Sequence, residues 1–163
     1  MSKGGATPLL PIVLSIVAAL MLAIAPMPEW AVDYRPDWVA LTLIYWSMML
    51  PRTISVGIAW IAGLLLDVAL GTLLAQHALA LSLIVYFTNK FHLQIRVFPM
   101  SQMAAVVLAL LATYRFVLFW INGIAGVSGP AASYWGPVLS SAIVWPLLAV
   151  LLRSLPQRER SGA

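Results

Sequence analysis

The chain has 163 residues, of which 63% are hydrophobic and 9% charged, and its formal net charge is +4. Soluble domains carry roughly 25% charged and about 45–50% apolar residues, and a short chain has too much surface to cover with so few charges; composition therefore excludes a water-soluble globule and a disordered tail. Cysteine is absent, which excludes disulfide frameworks, thiolate metal sites and thiol catalysis, and the basic balance reads as a topology signal rather than a nucleic-acid footprint.

A transmembrane helix needs about 20 apolar residues to cross roughly 30 Å of hydrocarbon. Six segments are candidates: 8–27, a short one at 38–50, 54–72 with one acid inside, 74–89, 99–121 with one arginine inside, and 132–152. They use most of the chain, so residues 1–163 read as a single six-helix, all-α integral membrane domain. Lys3 followed by an apolar run ending in Ala23-Ile24-Ala25 imitates a signal peptide. The run is long for such a peptide and Pro26 follows directly, so the segment reads as a retained helix.

With both termini cytoplasmic, the inner segments hold Lys3, Arg52, Lys90, Arg96, Arg153, Arg158 and Arg160, and the outer ones only Arg35. This asymmetry satisfies the positive-inside rule. Glu29, Asp33 and Asp37 fall in the first outer connection. Trp30, Trp38, Trp120 and Trp135 lie at the expected outer interface, where aromatic belts form; Trp46, Trp60 and Trp145 read as packing residues. The connection 122–136 is uncharged and rich in Gly, Ser and Pro, which reads as turns.

Asp67 is the most informative residue, because a charge inside a span is costly and normally faces the bundle interior with a partner. Arg115 lies at a similar depth in a parallel span, so depth predicts an Asp67–Arg115 pair. Gln76 and His77, at the start of the fourth span on the same side, extend a polar network. Such a network reads as a structural pin in preference to a proton or substrate site. With no cysteine and no second histidine close by in sequence, a metal site is not expected.

The third span carries Ser55, Ala59, Gly63, Asp67 and Gly71 at spacing four, which stacks them on one face and lets helix backbones approach closely. The stripe fits tight packing against the fourth span, with its line Ala78, Ser82, Tyr86, or a groove for a partner's helix. Residues 90–97 alternate polar and apolar, a period-two pattern that predicts an extended segment lying at the membrane surface or pairing with a cytoplasmic partner. The basic tail from Arg153 to Arg160 is expected to meet anionic lipid. Phosphate-loop, zinc-protease and nucleophile-elbow patterns are absent, and no pair of acids is placed for acid–base work. Nothing in the sequence argues for an enzyme, a cofactor or nucleic-acid binding.

From Arg35 onward the motifs are more specific: Arg35-Pro36-Asp37-Trp38-Val39-Ala40-Leu41, Tyr45-Trp46, Leu50-Pro51-Arg52, Val56-Gly57, Gly63-Leu64-Leu65-Leu66-Asp67 and Gly71, with Trp145-Pro146 in the last span. These resemble the rod shape-determining MreD family of Gram-negative bacteria, most closely over 35–87. The resemblance implies a multi-pass inner-membrane protein of the cell-elongation machinery, without enzymatic activity or cofactor. It implies association with MreC, a single-pass scaffold. Through MreC it implies links to the peptidoglycan polymerase RodA, its class B penicillin-binding transpeptidase and MreB filaments. It also implies a fold similar to the substrate-binding subunits of energy-coupling-factor transporters. Under it, 29–37 and 90–97 become candidate partner surfaces. The other reading is a small-molecule or lipid-precursor binder with an outward pocket around Asp67 and Arg115.

Overall fold

The structure, a computed structural model, describes residues 9–127 and 129–161. It is all-helical over these residues: α1 (Leu9–Ile24), α2 (Glu29–Val32), α3 (Trp38–Met49), α4 (Val56–Leu70), α5 (Gln76–Val97), α6 (Met100–Ile124) and α7 (Ala131–Ser161). Two stretches, Met100–Ile124 and Tyr134–Leu155, are long and apolar enough to cross a membrane, while α1, α3 and α4 are shorter apolar helices. Each of the six expected segments overlaps one of the long elements; α1, α3 and α4 lie within theirs, and α5, α6 and α7 run past theirs. The four-residue α2 is an addition inside the first connection.

The apolar surface is arranged for lipid. Leu10, Met21, Ile61, Val68, Ile143, Leu147 and Val150 are all exposed, as expected where the surroundings are hydrocarbon and lateral packing does not need to hide them. The opposite holds for α3, which is apolar around its whole circumference and buried over ten of its twelve residues, Val39 to Met48. A helix with this pattern belongs in a core. It touches α1, α5, α6 and α7. Twelve residues span only about 18 Å, less than the hydrocarbon thickness, and α3 can be this short because protein rather than lipid surrounds its ends.

Local chemistry sets the ends. Pro51 disfavours helical backbone at Leu50, where α3 stops. Ser55 caps α4 by accepting the Ile58 N–H at 3.3 Å. The α4 terminus closes as a Schellman motif: Gly71 is left-handed at φ 66°, Thr72 N–H donates to the Asp67 carbonyl at 3.1 Å and Gly71 N–H to that of Val68 at 3.4 Å. Phe98, extended at ψ 144° before Pro99, ends α5.

Two expectations are corrected here, and one left open is resolved. Residues 90–97 are the last turns of α5, not an extended segment; the alternation reflects a helix leaving the bundle, where only Ile95 stays buried among these eight. Trp60 is 39% exposed on α4 rather than packed inside, whereas Trp46 and Trp145 are core residues. The small-residue stripe is occupied by the protein itself. A Cβ on Gly63 would overlap the Ala78 backbone and stand 2.8 Å from the His77 carbonyl carbon. Ala59 is fully buried, Gly71 ends the helix and Ser55 starts it, so of the two readings of the stripe the structure has packing against α5 rather than an open groove.

Candidate functional site

Helix direction alternates along the chain, so one end of the bundle collects the C-terminal ends of α1, α4 and α6 and the N-terminal ends of α3, α5 and α7. They surround a cavity of about 310 Å³ lined by polar groups, Arg35, Asp37, Gln76, His77, Tyr114 and Arg115 among them. The four residues expected to form a polar network, Asp67, Gln76, His77 and Arg115, lie at this end.

The pairing differs from the expected one: Asp67 does not pair with Arg115. Arg115, on α6, forks onto Asp37, with Nε donating to Oδ2 at 2.9 Å and Nη2 donating to Oδ1. The side chains are 18% and 7% exposed. This is the bidentate geometry in which a guanidinium and a carboxylate bind best. Asp37 is held at the head of α3, and its backbone N–H donates to Ser141 Oγ of α7 at 2.8 Å. One residue thereby joins α3, α6 and α7.

Asp67, buried at the end of α4, faces the start of α5. Its Oδ1 accepts Thr72 Oγ1–H at 3.0 Å and the His77 backbone N–H at 3.1 Å. The His77 ring nitrogen Nδ1 lies 2.6 Å away, and an ionised carboxylate at that distance requires the proton on Nδ1. The residue in the cap position of α5 is Ala75, whose side chain cannot accept a hydrogen bond. Asp67 supplies the missing acceptor from the neighbouring helix, and its negative charge meets the positive end of the α5 dipole. The histidine ring and this helix end replace arginine as the compensation for a buried carboxylate. Asp67 Oδ2 and Gln76 Oε1 are buried without hydrogen-bond partners.

Tyr114 connects the two clusters: its ring centroid lies 6.1 Å from that of His77 and 5.8 Å from the Arg115 guanidinium carbon. Asn122 donates to Tyr134 Oη at 3.1 Å across the α6–α7 connection. Arg35 closes the far wall by donating to the Ala23 carbonyl and, at 2.6 Å, to that of Ala25. It thus satisfies orphan carbonyls at the end of α1. Of the family-motif residues, Arg35 and Asp37 build this end and Pro51 stops α3, while Pro36 lines the cavity. Arg52 is exposed in the turn after α3.

Sequence reasoning missed Asp37, Thr72, Tyr114 and Tyr134 as members of this cluster. Asp37 had a usable signal: it is the acid directly beside an apolar segment, at the same end as Arg115. The others carry no signal in a single sequence. Among the described residues, no three His, Cys, Asp or Glu side chains gather as a metal site would require. Geometrically, the arrangement joins helices by internally paired charges around a modest cavity at one end of the bundle.

The fold and this cluster define a helical membrane protein whose intramembrane charges are paired internally. Residues 6–155 match the family described as rod shape-determining protein MreD. A curated relative, rod shape-determining protein MreD of Haemophilus influenzae, is 28% identical over 147 residues, covering 88% of this chain and 89% of that protein. No solved structure matches the chain. The chain belongs to the MreD family, and the role that follows is rod shape determination.

Proposed function

We propose that the chain is a non-enzymatic scaffold subunit of the bacterial cell-elongation complex. In this reading it crosses the inner membrane six times with both termini cytoplasmic. It holds an MreC-like single-pass protein and, directly or through it, the RodA-like polymerase and its transpeptidase partner, with MreB filaments on the cytoplasmic side. The observation that carries the reading is the use of the buried charges. Arg115 is spent on Asp37 and Asp67 on His77 and the α5 terminus, which suits a rigid helix bundle better than a proton relay or an acid–base pair.

Because α5 fills the Gly63 stripe, partner contact is assigned to the exposed connection between α1 and α3. There Trp30 and Tyr34 stand out of the fold. The last turns of α5 are the second surface. Photoreactive side chains at Trp30, Tyr34 and Val97, with Ile143 on α7 as control, test this in intact membranes. Capture of MreC-like or RodA-like protein from the first three but not from Ile143 is the expected result; equal capture from Ile143, or from none, removes the scaffold assignment at these surfaces.

The cavity near Gln76 and Asp67 favours the second reading, a binder of a small molecule or lipid precursor, because it lies beside unpaired buried oxygens. That reading requires Gln76→Ala to abolish ligand retention while complex assembly stays intact.

A further inference from the structure

At the opposite end of the bundle a second cavity, about 390 Å³, lies between the C-terminal ends of α3, α5 and α7 and the start of α6. Its lining includes Tyr45, Arg96, Met103, Trp145 and Arg153. Neither arginine has a carboxylate or hydrogen-bond partner among the described residues, and both are exposed. Two guanidiniums without a described partner stand at one mouth, and the four acids whose side chains are described lie elsewhere: Asp37 and Asp67 are engaged at the other end, and Glu29 and Asp33 lie in or beside α2, while the side chain of Glu159 is outside the described set.

A second observation comes from the cavity lining. Trp145 is fully buried, and its indole N–H has no hydrogen-bond partner. A buried donor of this kind is costly unless something accepts from it. The Tyr45 ring lies beside it, centroid to centroid 6.3 Å. The outer wall is apolar: Val150 lines the cavity and continues into exposed Leu147 and Leu151 on the lipid-facing side of α7. Cations at the rim, an unpartnered buried donor in the lining and a greasy wall open to lipid match one class of ligand.

We propose that this cavity binds the phosphate headgroup of an anionic phospholipid. Arg96 and Arg153 hold the phosphate, Trp145 serves a polar oxygen of the lipid, and an acyl chain lies along Met103 and Val150. Basic pockets between transmembrane helices recognise anionic headgroups by this combination of charge and shape, and Arg suits phosphate because its fork matches the oxygen geometry. The assignment stands apart from the scaffold reading, since it asks only that the protein be in a membrane.

The test uses the full chain purified in detergent, stripped of lipid, and titrated with mixed micelles of phosphatidylglycerol or phosphatidylcholine. Inorganic phosphate is the third arm. Bound lipid is counted by native mass spectrometry, and thermal stability is followed in parallel. Phosphatidylglycerol is expected to bind and raise the melting temperature, and phosphatidylcholine to do neither. The double variant R96Q/R153Q should bind it about tenfold to thirtyfold more weakly. The charge-matched control R52Q/K90Q, whose residues do not line the cavity, should bind normally. W145F, which keeps the ring and removes the donor, should weaken binding by a smaller factor without changing the stability of the stripped protein by more than a few degrees. Equal loss in the control would reduce the effect to general surface charge and overturn the proposal. So would equal binding of phosphatidylcholine, or inorganic phosphate matching the lipid in affinity, which would make the site one for a free anion.

Discussion

The Asp67 carboxylate caps a helix that is not its own: it accepts the backbone N–H of His77 at 3.1 Å while its own helix, α4, ends four residues later at Gly71. The cap, the Schellman turn and the Gly63–Ala78 contact act on the same short hairpin. Together they fix the angle and depth at which α5 returns along α4, and therefore the position of every group that α5 brings to the cavity.

Replacing Asp67 tests the cap. Asp67→Asn keeps the shape and one acceptor oxygen but loses the charge, and should cost about 1.5–3 kcal/mol, the range for hydrogen bonds to charged groups. Thr72→Val, which removes a single donor, should cost nearer 1 kcal/mol. Thermal unfolding of the purified protein orders the two. A neutral Asp67→Asn, with the complex intact, would contradict the structural role argued for it.

The Asp37–Arg115 fork should behave as a coupled unit. Removing one partner leaves an uncompensated buried charge, so Arg115→Gln or Asp37→Asn alone should destabilise by about 3 kcal/mol. The double variant should lose less than the sum. A double-mutant cycle reads the coupling directly; additive losses would mean that the two side chains do not share one interaction in the membrane. An Asp67→Asn, Arg115→Gln cycle should show much weaker coupling, since those two residues have different partners.

Gly63 should tolerate no side chain. Gly63→Ala places a methyl group into the Ala78 backbone, and neither helix can yield without opening the hairpin, so a loss of about 1–3 kcal/mol is expected. Gly123, also helical, has open space where a Cβ would sit, with nothing within 4 Å. Gly123→Ala should be neutral or slightly stabilising, because alanine loses less backbone freedom. Comparable losses at the two sites would show that helix packing is not what selects glycine at 63.

Ala75 is held at φ 73°, in the left-handed region, as the hairpin turns into α5. For an L-residue with a Cβ that conformation costs roughly 1–2 kcal/mol. Ala75→Gly should therefore raise stability by about 1 kcal/mol, visible as a higher melting temperature. No gain would mean that the added freedom of glycine in the unfolded chain cancels the relief.

Much of this molecule could be read along the chain. Apolar length placed the six long helices within a few residues of their ends at α1, α3, α4 and α6, because hydropathy and helix-ending signals such as Gly71, Pro51 and Pro99 act locally. The motif from Arg35 to Gly71 pointed to the family. The burial of Asp67 was also legible, since a lone acid in a long apolar run must turn inward.

Which groups meet was decided only by tertiary structure. Depth along the membrane normal made Arg115 a candidate partner for Asp67, but depth is one coordinate, and pairing depends on which helices are lateral neighbours. The bundle places Asp37 against α6 and the start of α5 against Asp67, so each charge found a different counterpart. The same reason governs the Gly63 stripe, which reads identically whether its groove takes a partner helix or the protein's own, and residues 90–97, whose alternation of polar and apolar side chains does not disclose that the helix before them simply continues.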